Sequence, residues 1–199
     1  MNTMNRRHLL LSALAASVAA CTESKPKFNA IDLTGADYAK DFHLPDTEGR
    51  VRSLADFKGK LVALFFGYTQ CPDVCPTTMT ELAEAKKLLG PEGSKLQVVF
   101  ITVDPQRDTA QVLKGYMGNF DPTFIALRPT PEQLEAVAKD FKVYYKKVDG
   151  NTPTSYSMDH SAATYVYDTK GQLRLYARYG AGPQVLVSDF KQLLAQDNG

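Results

Sequence analysis

Two cysteines separated by three residues are the most reactive groups in this 199-residue sequence. Cys71 and Cys75 stand in the segment GYTQCPDVCP, and each of them precedes a proline. A disulfide between residues so close together closes a small loop and stabilises a domain little, because the entropy it removes grows with loop length. The pair is therefore predicted to be functional, in thiol–disulfide exchange or in metal binding, and not to form a structural disulfide.

The prolines place these cysteines at the start of a helix. A residue before proline is disfavoured in the helical conformation, so neither cysteine is expected inside the helix predicted over 77–89. Pro76 suits the first helical position, which makes Cys75 the predicted N-cap and puts Cys71 on the preceding turn. The free N–H groups and the dipole at that end favour thiolate over thiol.

The elements that must position these sulfurs alternate along the chain. Continuous apolar runs over 60–66 and 96–103 predict strands buried on both faces. Turn residues at 45–49 predict a short N-terminal hairpin. Helices are predicted at 77–89, 109–116, 130–141 and 184–196, and short strands at 124–127, 143–147, 163–167 and 173–179. This order predicts an α/β domain with a thioredoxin-like fold, in which a central mixed sheet is flanked by helices.

A third ligand, a histidine, would distinguish a metal-binding cysteine pair from a redox-active one. Beyond the first twenty residues the histidines are His43 and His160. His43 lies in the predicted N-terminal hairpin and is interpreted as a surface residue. His160 ends a polar loop predicted over 149–159 and precedes a core strand. Redox proteins with a thioredoxin-like fold carry a cis-proline at that place, so its imidazole is predicted to face the two sulfurs.

Three motifs then resemble one family. GYTQCPDVCP, VDPQRDT and MDHSAATYVYD occur in the order and spacing of the Sco/SenC family of copper-binding proteins. The resemblance runs from about Phe42 to the C-terminal helix. It implies a thioredoxin-like, membrane-anchored protein that serves assembly of the dinuclear copper (CuA) centre of cytochrome c oxidase. The family's copper ligands fall on Cys71, Cys75 and His160.

This set of ligands suits copper. Soft thiolates favour Cu(I), and imidazole suits either oxidation state, so binding of both Cu(I) and Cu(II) is expected. Three ligands leave the site open, whereas structural zinc normally takes four, and a fourth strong ligand is not obvious.

Four aspartates lie in or near these motifs. Asp73 and Asp159 are candidates for weak contacts to the site, with a turn residue and a loop-end hydrogen bond as the equal alternatives. Asp104 and Asp108 are predicted to shape a turn and to cap the helix that begins at Thr109.

The same two sulfurs support two functions. The first is a copper chaperone without turnover, which delivers one copper ion to cytochrome c oxidase subunit II or to another periplasmic copper protein. The second is a thiol–disulfide oxidoreductase in which Cys71 and Cys75 form the redox-active pair and reduce the cysteines of the acceptor. His160 favours the chaperone, because thiol exchange does not need it.

The N-terminus predicts export and a lipid anchor. An arginine pair is followed by an apolar run that ends Val-Ala-Ala-Cys at Cys21. This pattern resembles a bacterial lipobox, with an ordinary cleaved signal as the alternative, and the apolar run is too short for a stable transmembrane helix. The paired arginines leave the Sec and twin-arginine routes both open.

The predicted organisation follows from these features. Residues 1–20 form a signal peptide, residues 21–40 a lipid-anchored tether, and residues 41–199 the thioredoxin-like copper-binding domain. The domain is expected on the periplasmic side of a bacterial membrane, where disulfides are permitted. The chain has 23 basic and 22 acidic residues, a balance that gives no reason to expect nucleic-acid binding. A monomer is expected.

Overall fold

A six-stranded mixed sheet forms the centre of the protein, in the strand order β1-β10-β9-β4-β5-β6. The computed structural model describes residues 27–152 and 155–197. The strands are β1 (Ile31–Asp32), β2 (Leu44–Pro45), β3 (Val51–Arg52), β4 (Leu61–Gly67), β5 (Leu96–Thr102), β6 (Ile125–Leu127), β7 (Tyr145–Asp149), β8 (Tyr156–His160), β9 (Thr164–Tyr167) and β10 (Leu173–Ala177). The helices are α1 (Val74–Leu88), α2 (Ala110–Gly118), α3 (Pro131–Asp140) and α4 (Pro183–Asp197).

Strand directions divide the sheet into two halves. β4, β5 and β6 are parallel, whereas β9, β10 and β1 each run antiparallel to their neighbours. Helices flank this sheet, and α1 and α4 contact one another. The predicted α/β, thioredoxin-like fold with a mixed central sheet is confirmed.

The two central strands are buried along their whole length. All seven residues of β4 and all seven of β5 are buried, as their continuous apolar sequences predict. The capping box predicted at Thr130 is also present, since its hydroxyl accepts a hydrogen bond from the backbone N–H of Gln133. Local sequence therefore determines both the core strands and the start of α3.

Two small hairpins lie outside the main sheet. β2 pairs with β3, which confirms the predicted N-terminal hairpin. β7 pairs with β8 from Tyr145–His160 to Asp149–Tyr156. The prediction of a polar loop over 149–159 was therefore wrong for its second half, because residues 156–159 are strand. Cross-strand pairing with β7 overrides their polar composition.

The segment predicted as tether and irregular structure contributes to the domain. Ile31 and Asp32 form an edge strand on β10. Just before them, the backbone N–H groups of Asn29 and Ala30 donate to the carboxylate of Asp189 in α4 at 2.9 and 2.8 Å. The chain is thus fixed to the domain from Asn29 onward. The predicted signal peptide and Cys21 lie outside the described residues.

No helix within the described ranges combines the length and the apolar character required to cross a membrane.

Candidate metal centre

Cys71, Cys75 and His160 come together at one end of the sheet. Their ligand atoms all lie within 4.8 Å of one another. Strand pairing explains this, because Phe65 near the end of β4 is the antiparallel partner of Thr164 at the start of β9. The cysteine segment follows β4 and His160 shortly precedes β9, so the register brings the two segments side by side. The predicted convergence of these three residues is therefore present.

Cys75 lies two residues further into the helix than predicted. The N-cap of α1 is Asp73, and α1 begins at Val74, so Cys75 and Pro76 both lie in its first turn. The exclusion of Cys75 from the helix was wrong. The first N–H groups of a helix have no intrahelical partner, so a proline in the first turn removes no hydrogen bond from the helix.

Cys71 is the accessible sulfur and carries the negative charge. It is partly exposed, and its sulfur accepts a hydrogen bond from the backbone N–H of Cys75 at 3.4 Å. A side-chain hydrogen bond with Cys75 lowers the pKa of Cys71 to about 3, with further help from His160 and against the effect of burial. A thiolate at this position is a ready nucleophile and a ready metal ligand.

Cys75 has the opposite character. Its side chain is fully buried, and its pKa is raised because its thiol is hydrogen-bonded to Cys71 and because it is removed from water. The apo site is therefore a thiolate and a thiol sharing one proton. The dipole argument predicted thiolate character at this helix end, which holds for Cys71 only.

Gly67 leaves the space that Cys75 occupies. A Cβ atom at Gly67 would lie 2.8 Å from Cys75 Sγ and 2.8 and 2.9 Å from the rings of Phe65 and Phe100. Contacts this short do not occur in folded proteins, so the absence of a side chain here is a requirement of the site.

His160 presents one ring nitrogen to the sulfurs. Its Nε2 lies 3.4 Å from Cys75 Sγ, and its Nδ1 lies 2.9 Å from the carbonyl oxygen of Ser161. A carbonyl only accepts hydrogen bonds, so Nδ1 carries a proton, and Nε2 is the ring nitrogen that faces the sulfurs. This arrangement is typical of histidine ligands in metal sites.

Aromatic side chains hold the imidazole in place. The rings of Phe65 and Tyr68 meet the His160 ring edge to face, with centroids at 5.9 and 5.8 Å. Both residues are buried. Sequence reasoning assigned them no role, although both lie within seven residues of Cys71.

Asp108 of the motif VDPQRDT has a different structural role from the one predicted. Asp108 is fully buried and accepts hydrogen bonds from the hydroxyl groups of Thr69 at 2.6 Å and Thr102 at 2.5 Å. The N-cap of α2 is Thr109, whose hydroxyl accepts from Val112, so the prediction that an aspartate caps this helix was wrong. Asp108 instead fastens the cysteine segment to β5.

Asp104 joins its own turn to the β7–β8 hairpin. It forms an ion pair with Arg107 and accepts a hydrogen bond from the hydroxyl of Tyr156 at 2.9 Å. The turn-shaping role predicted for Asp104 is thus accompanied by a contact across the fold.

The remaining candidates lie at the edge of the site or away from it. Asp73 starts α1 and accepts hydrogen bonds from the hydroxyl groups of Thr77 and Tyr179 at 3.3 and 3.5 Å. Asp159 is exposed on β8. Because successive side chains of a strand point to opposite faces, Asp159 lies on the face opposite His160. His43 is exposed, as its interpretation as a surface residue requires.

Two cysteine sulfurs and an imidazole nitrogen form a suitable set of ligands for a soft metal ion. Thiolate ligands favour Cu(I), and an imidazole extends the set to Cu(II). In the part of the chain that the structure describes, this is the one group of three or more Cys, His, Asp or Glu ligands that converge closely enough to hold a metal. The partial exposure of Cys71 leaves access from solvent.

Comparison with known proteins identifies the family of this chain. The family model described as SCO1/SenC matches residues 32–195. The SCO2-like protein of Rickettsia felis is 36% identical over 152 residues, which cover 76% of this chain and 74% of that protein.

Solved structures extend the likeness to three dimensions. ScoI of Bradyrhizobium japonicum, solved with copper bound, has a TM-score of 0.70 at 36% identity and covers 77% of this chain and 98% of that one. Apo Sco1 of Thermus thermophilus has a TM-score of 0.76 at 36% identity and covers 86% and 99%. With the family match over most of its length and this close fold, the chain belongs to the SCO1/SenC family.

Proposed function

We propose that this protein is a copper chaperone that binds one copper ion at Cys71, Cys75 and His160 and delivers it to the CuA centre of cytochrome c oxidase during assembly. The convergence of these ligand atoms within 4.8 Å carries the proposal. The copper-bound relative from Bradyrhizobium japonicum supports the choice of metal. We further propose that the domain acts on the periplasmic side of a bacterial membrane, held there by lipidated Cys21, as a monomer.

An open site suits delivery. Cys71 and His160 are both partly exposed, whereas Cys75 is buried. A cysteine of the acceptor can therefore reach the metal beside Cys71 while the other two ligands still hold it. Transfer through shared ligands keeps the ion bound throughout.

Copper titration of the purified reduced protein tests the binding step. We expect one Cu(I) per chain, and loss of tight binding in Cys71→Ala and in Cys75→Ala, because one thiolate and one imidazole hold Cu(I) poorly. His160→Ala should keep weaker Cu(I) binding and lose Cu(II). Stoichiometric Cu(II) binding by His160→Ala would remove the histidine from the proposed site.

A second candidate function is thiol–disulfide exchange with the acceptor. The observation that favours it is the pairing of an accessible Cys71, whose pKa is lowered to about 3 by hydrogen bonding to Cys75, with a buried neighbouring thiol. In such a reaction the Cys71 thiolate attacks an acceptor disulfide and releases one acceptor thiolate. Cys75 gives up its proton and attacks Cys71 in the resulting mixed disulfide, which releases the second acceptor thiolate. This protein would end with a disulfide and the acceptor with two thiols.

Two mixing experiments separate the functions. Copper-loaded protein is mixed with acceptor whose cysteines are already reduced, and reduced apoprotein is mixed with acceptor that carries a disulfide. Copper transfer in the first mixture without disulfide reduction in the second is the result expected of a chaperone. Reduction in the second mixture with no transfer in the first would replace the chaperone by the oxidoreductase.

A further inference from the structure

A largely buried cation connects the two segments that carry the proposed ligands. Arg107 lies in the turn after β5, within the motif VDPQRDT. Its Nη1 donates to the side-chain oxygen of Gln70 at 3.1 Å and to the backbone carbonyl of Tyr156 at 2.8 Å. Gln70 directly precedes Cys71, and Tyr156 begins β8, which ends at His160. One guanidinium therefore contacts both sides of the site.

Arg107 is itself held tightly. It forms an ion pair with Asp104, and the two side chains are only 16% and 4% exposed. The guanidinium lies 3.5 Å from the centroid of the Tyr156 ring, whose hydroxyl donates to the same aspartate. Stacking and a planar set of donors are properties of arginine that lysine does not reproduce.

The hairpin that carries His160 needs such a connection. Among the strands of the described ranges, β7 and β8 pair with each other and with none of the main sheet. At the open end of the hairpin, where β7 begins and β8 ends, the backbone N–H of Ser161 donates to the carbonyl of Tyr144 at 2.9 Å. At the other end of β8, Arg107 and Asp104 hold Tyr156. The orientation of β8, and with it that of His160, depends on both ends.

Tyr68 provides a second path from Arg107 to the imidazole. Its buried ring lies 5.7 Å from the guanidinium carbon and 5.8 Å from the His160 ring centroid. Removal of the guanidinium would therefore leave space beside the ring that supports the imidazole edge to face.

We infer that Arg107 is a positioning residue for copper: it holds the β7–β8 hairpin against the cysteine segment and so keeps the His160 imidazole at the sulfurs. The inference rests on the proposed copper site. The two thiolates account for most of the Cu(I) binding, whereas Cu(II) binding depends on the imidazole as well. A loosened hairpin should therefore weaken Cu(II) binding much more than Cu(I) binding.

The test compares Arg107→Ala with a matched control, Arg174→Ala. Arg174 forms a similarly buried ion pair with Asp168, with side chains 13% and 2% exposed, on β10 of the main sheet. Removal of either arginine leaves a buried carboxylate unpaired, so both variants are expected to lose thermal stability. Only Arg107 contacts the segments of the site.

Three quantities are measured on the full-length protein: the Cu(II) affinity, the visible and electron paramagnetic resonance spectra of the Cu(II) form, and the Cu(I) affinity. For Arg107→Ala we expect about a 10-fold to 100-fold loss of Cu(II) affinity, as for other residues that orient a metal ligand. Its Cu(II) spectra should change, while its Cu(I) affinity stays near that of the wild type. Arg174→Ala should keep the wild-type values of all three.

Wild-type Cu(II) affinity and spectra in Arg107→Ala would overturn the inference, as would equal changes in the two arginine variants. Should Arg107→Ala fail to fold, Tyr156→Phe takes its place, because it removes only the hydroxyl bond to Asp104. That variant should weaken Cu(II) binding by a smaller factor, and wild-type Cu(II) binding by it would then count against the inference. Unchanged Cu(II) binding in His160→Ala would instead refute the proposed site itself.

Discussion

The backbone N–H of Cys75 points at the sulfur of Cys71, 3.4 Å away. The N-cap residue of α1, Asp73, makes no side-chain capping bond of its own. A sulfur therefore takes the place that a serine or aspartate oxygen usually takes at a helix start. Anything that removes the charge from Cys71 also weakens the start of α1, so the state of the sulfur and the order of this helical turn are coupled.

The pH dependence of alkylation tests the charge on Cys71. Hydrogen bonding to Cys75 lowers the pKa of Cys71 to about 3, so its thiolate persists as the pH falls from 8 to about 5. An ordinary thiol, with a pKa of about 8.5, loses reactivity about tenfold per pH unit in that range. We expect a nearly constant rate of iodoacetamide reaction at Cys71, measured by peptide mass spectrometry in Cys21→Ser protein.

Cys75 provides the contrast in the same experiment, because it is buried and its pKa is raised. It should react far more slowly than Cys71 at every pH in this range. Bound copper should protect both sulfurs. A tenfold fall in the Cys71 rate per pH unit would contradict the assigned thiolate, and equal labelling with and without copper would place the metal elsewhere.

Substitution of Gly67 tests the packing behind Cys75. Gly67→Ala forces Cys75 or the rings of Phe65 and Phe100 to move, since the new Cβ would approach all three within 2.9 Å. Overpacking of this kind costs about 1–3 kcal/mol of stability. We expect lower stability in chemical denaturation together with weaker Cu(I) binding.

Gly115→Ala is the matched control for that experiment. Gly115 lies inside α2, and a Cβ there would meet no heavy atom within 4 Å apart from its chain neighbours and the backbone of its own helix. Alanine in a helix is favoured over glycine by about 0.5–1 kcal/mol, so this variant should be slightly more stable and bind copper normally. Normal copper binding by Gly67→Ala would show that the site tolerates the displacement of Cys75.

Acid stability tests the carboxylate of Asp46 at the N-terminal hairpin. Burial alone would raise its pKa, but hydrogen bonds from Arg52, Arg50 and two backbone N–H groups lower it to about 2. A lowered pKa adds stability that is fully present above about pH 4 and is lost as the pH falls towards 2. At pH 7, Asp46→Asn should therefore cost about 2 kcal/mol in urea unfolding.

The difference between wild type and Asp46→Asn should shrink steadily below pH 4. Asp37→Asn is the control, because Asp37 is fully exposed and its ion pair is with the exposed Lys40. It should leave stability unchanged throughout. A pH-independent difference for Asp46→Asn would mean that the lost hydrogen bonds, and not the charge, cause the effect.

The lipid anchor makes a separate prediction. If Cys21 is lipidated, the wild-type protein is found in the membrane fraction, and Cys21→Ser releases it without change in the copper titration. Mass spectrometry of the mature N-terminus measures the modification directly. An unmodified N-terminus, or a free thiol at Cys21, would contradict the lipobox interpretation.

Sequence alone predicted those parts of the site that depend on local patterns. β4 and β5 are continuous apolar runs, and Cys71 and Cys75 occur at the strand-to-helix turn that follows β4. The convergence with His160 needed only the thioredoxin-like strand order. The fold and the convergence of these three side chains were therefore accessible from residue types, their spacing and the resemblance to the family.

The supporting structure was not accessible in this way. Tyr156 and its neighbours in β8 are polar and partly exposed, so only pairing with β7 makes them a strand. Arginine is a residue type that usually lies at the surface. Nothing in the sequence around Arg107 indicates that it lies between the cysteine segment and β8. Long-range contacts decide both, and a single sequence does not contain them.

The attachment of Asn29 to Asp189 also sets the reach of the proposed anchor. About eight residues separate Cys21 from Asn29. Even a fully extended chain covers only about 3.3–3.6 Å per residue, so this tether spans at most about 29 Å. With Cys21 lipidated, the domain searches for its acceptor almost in two dimensions, within a thin layer of the bilayer surface. An acceptor is met only if its copper-binding groups stand within this span plus the breadth of the domain.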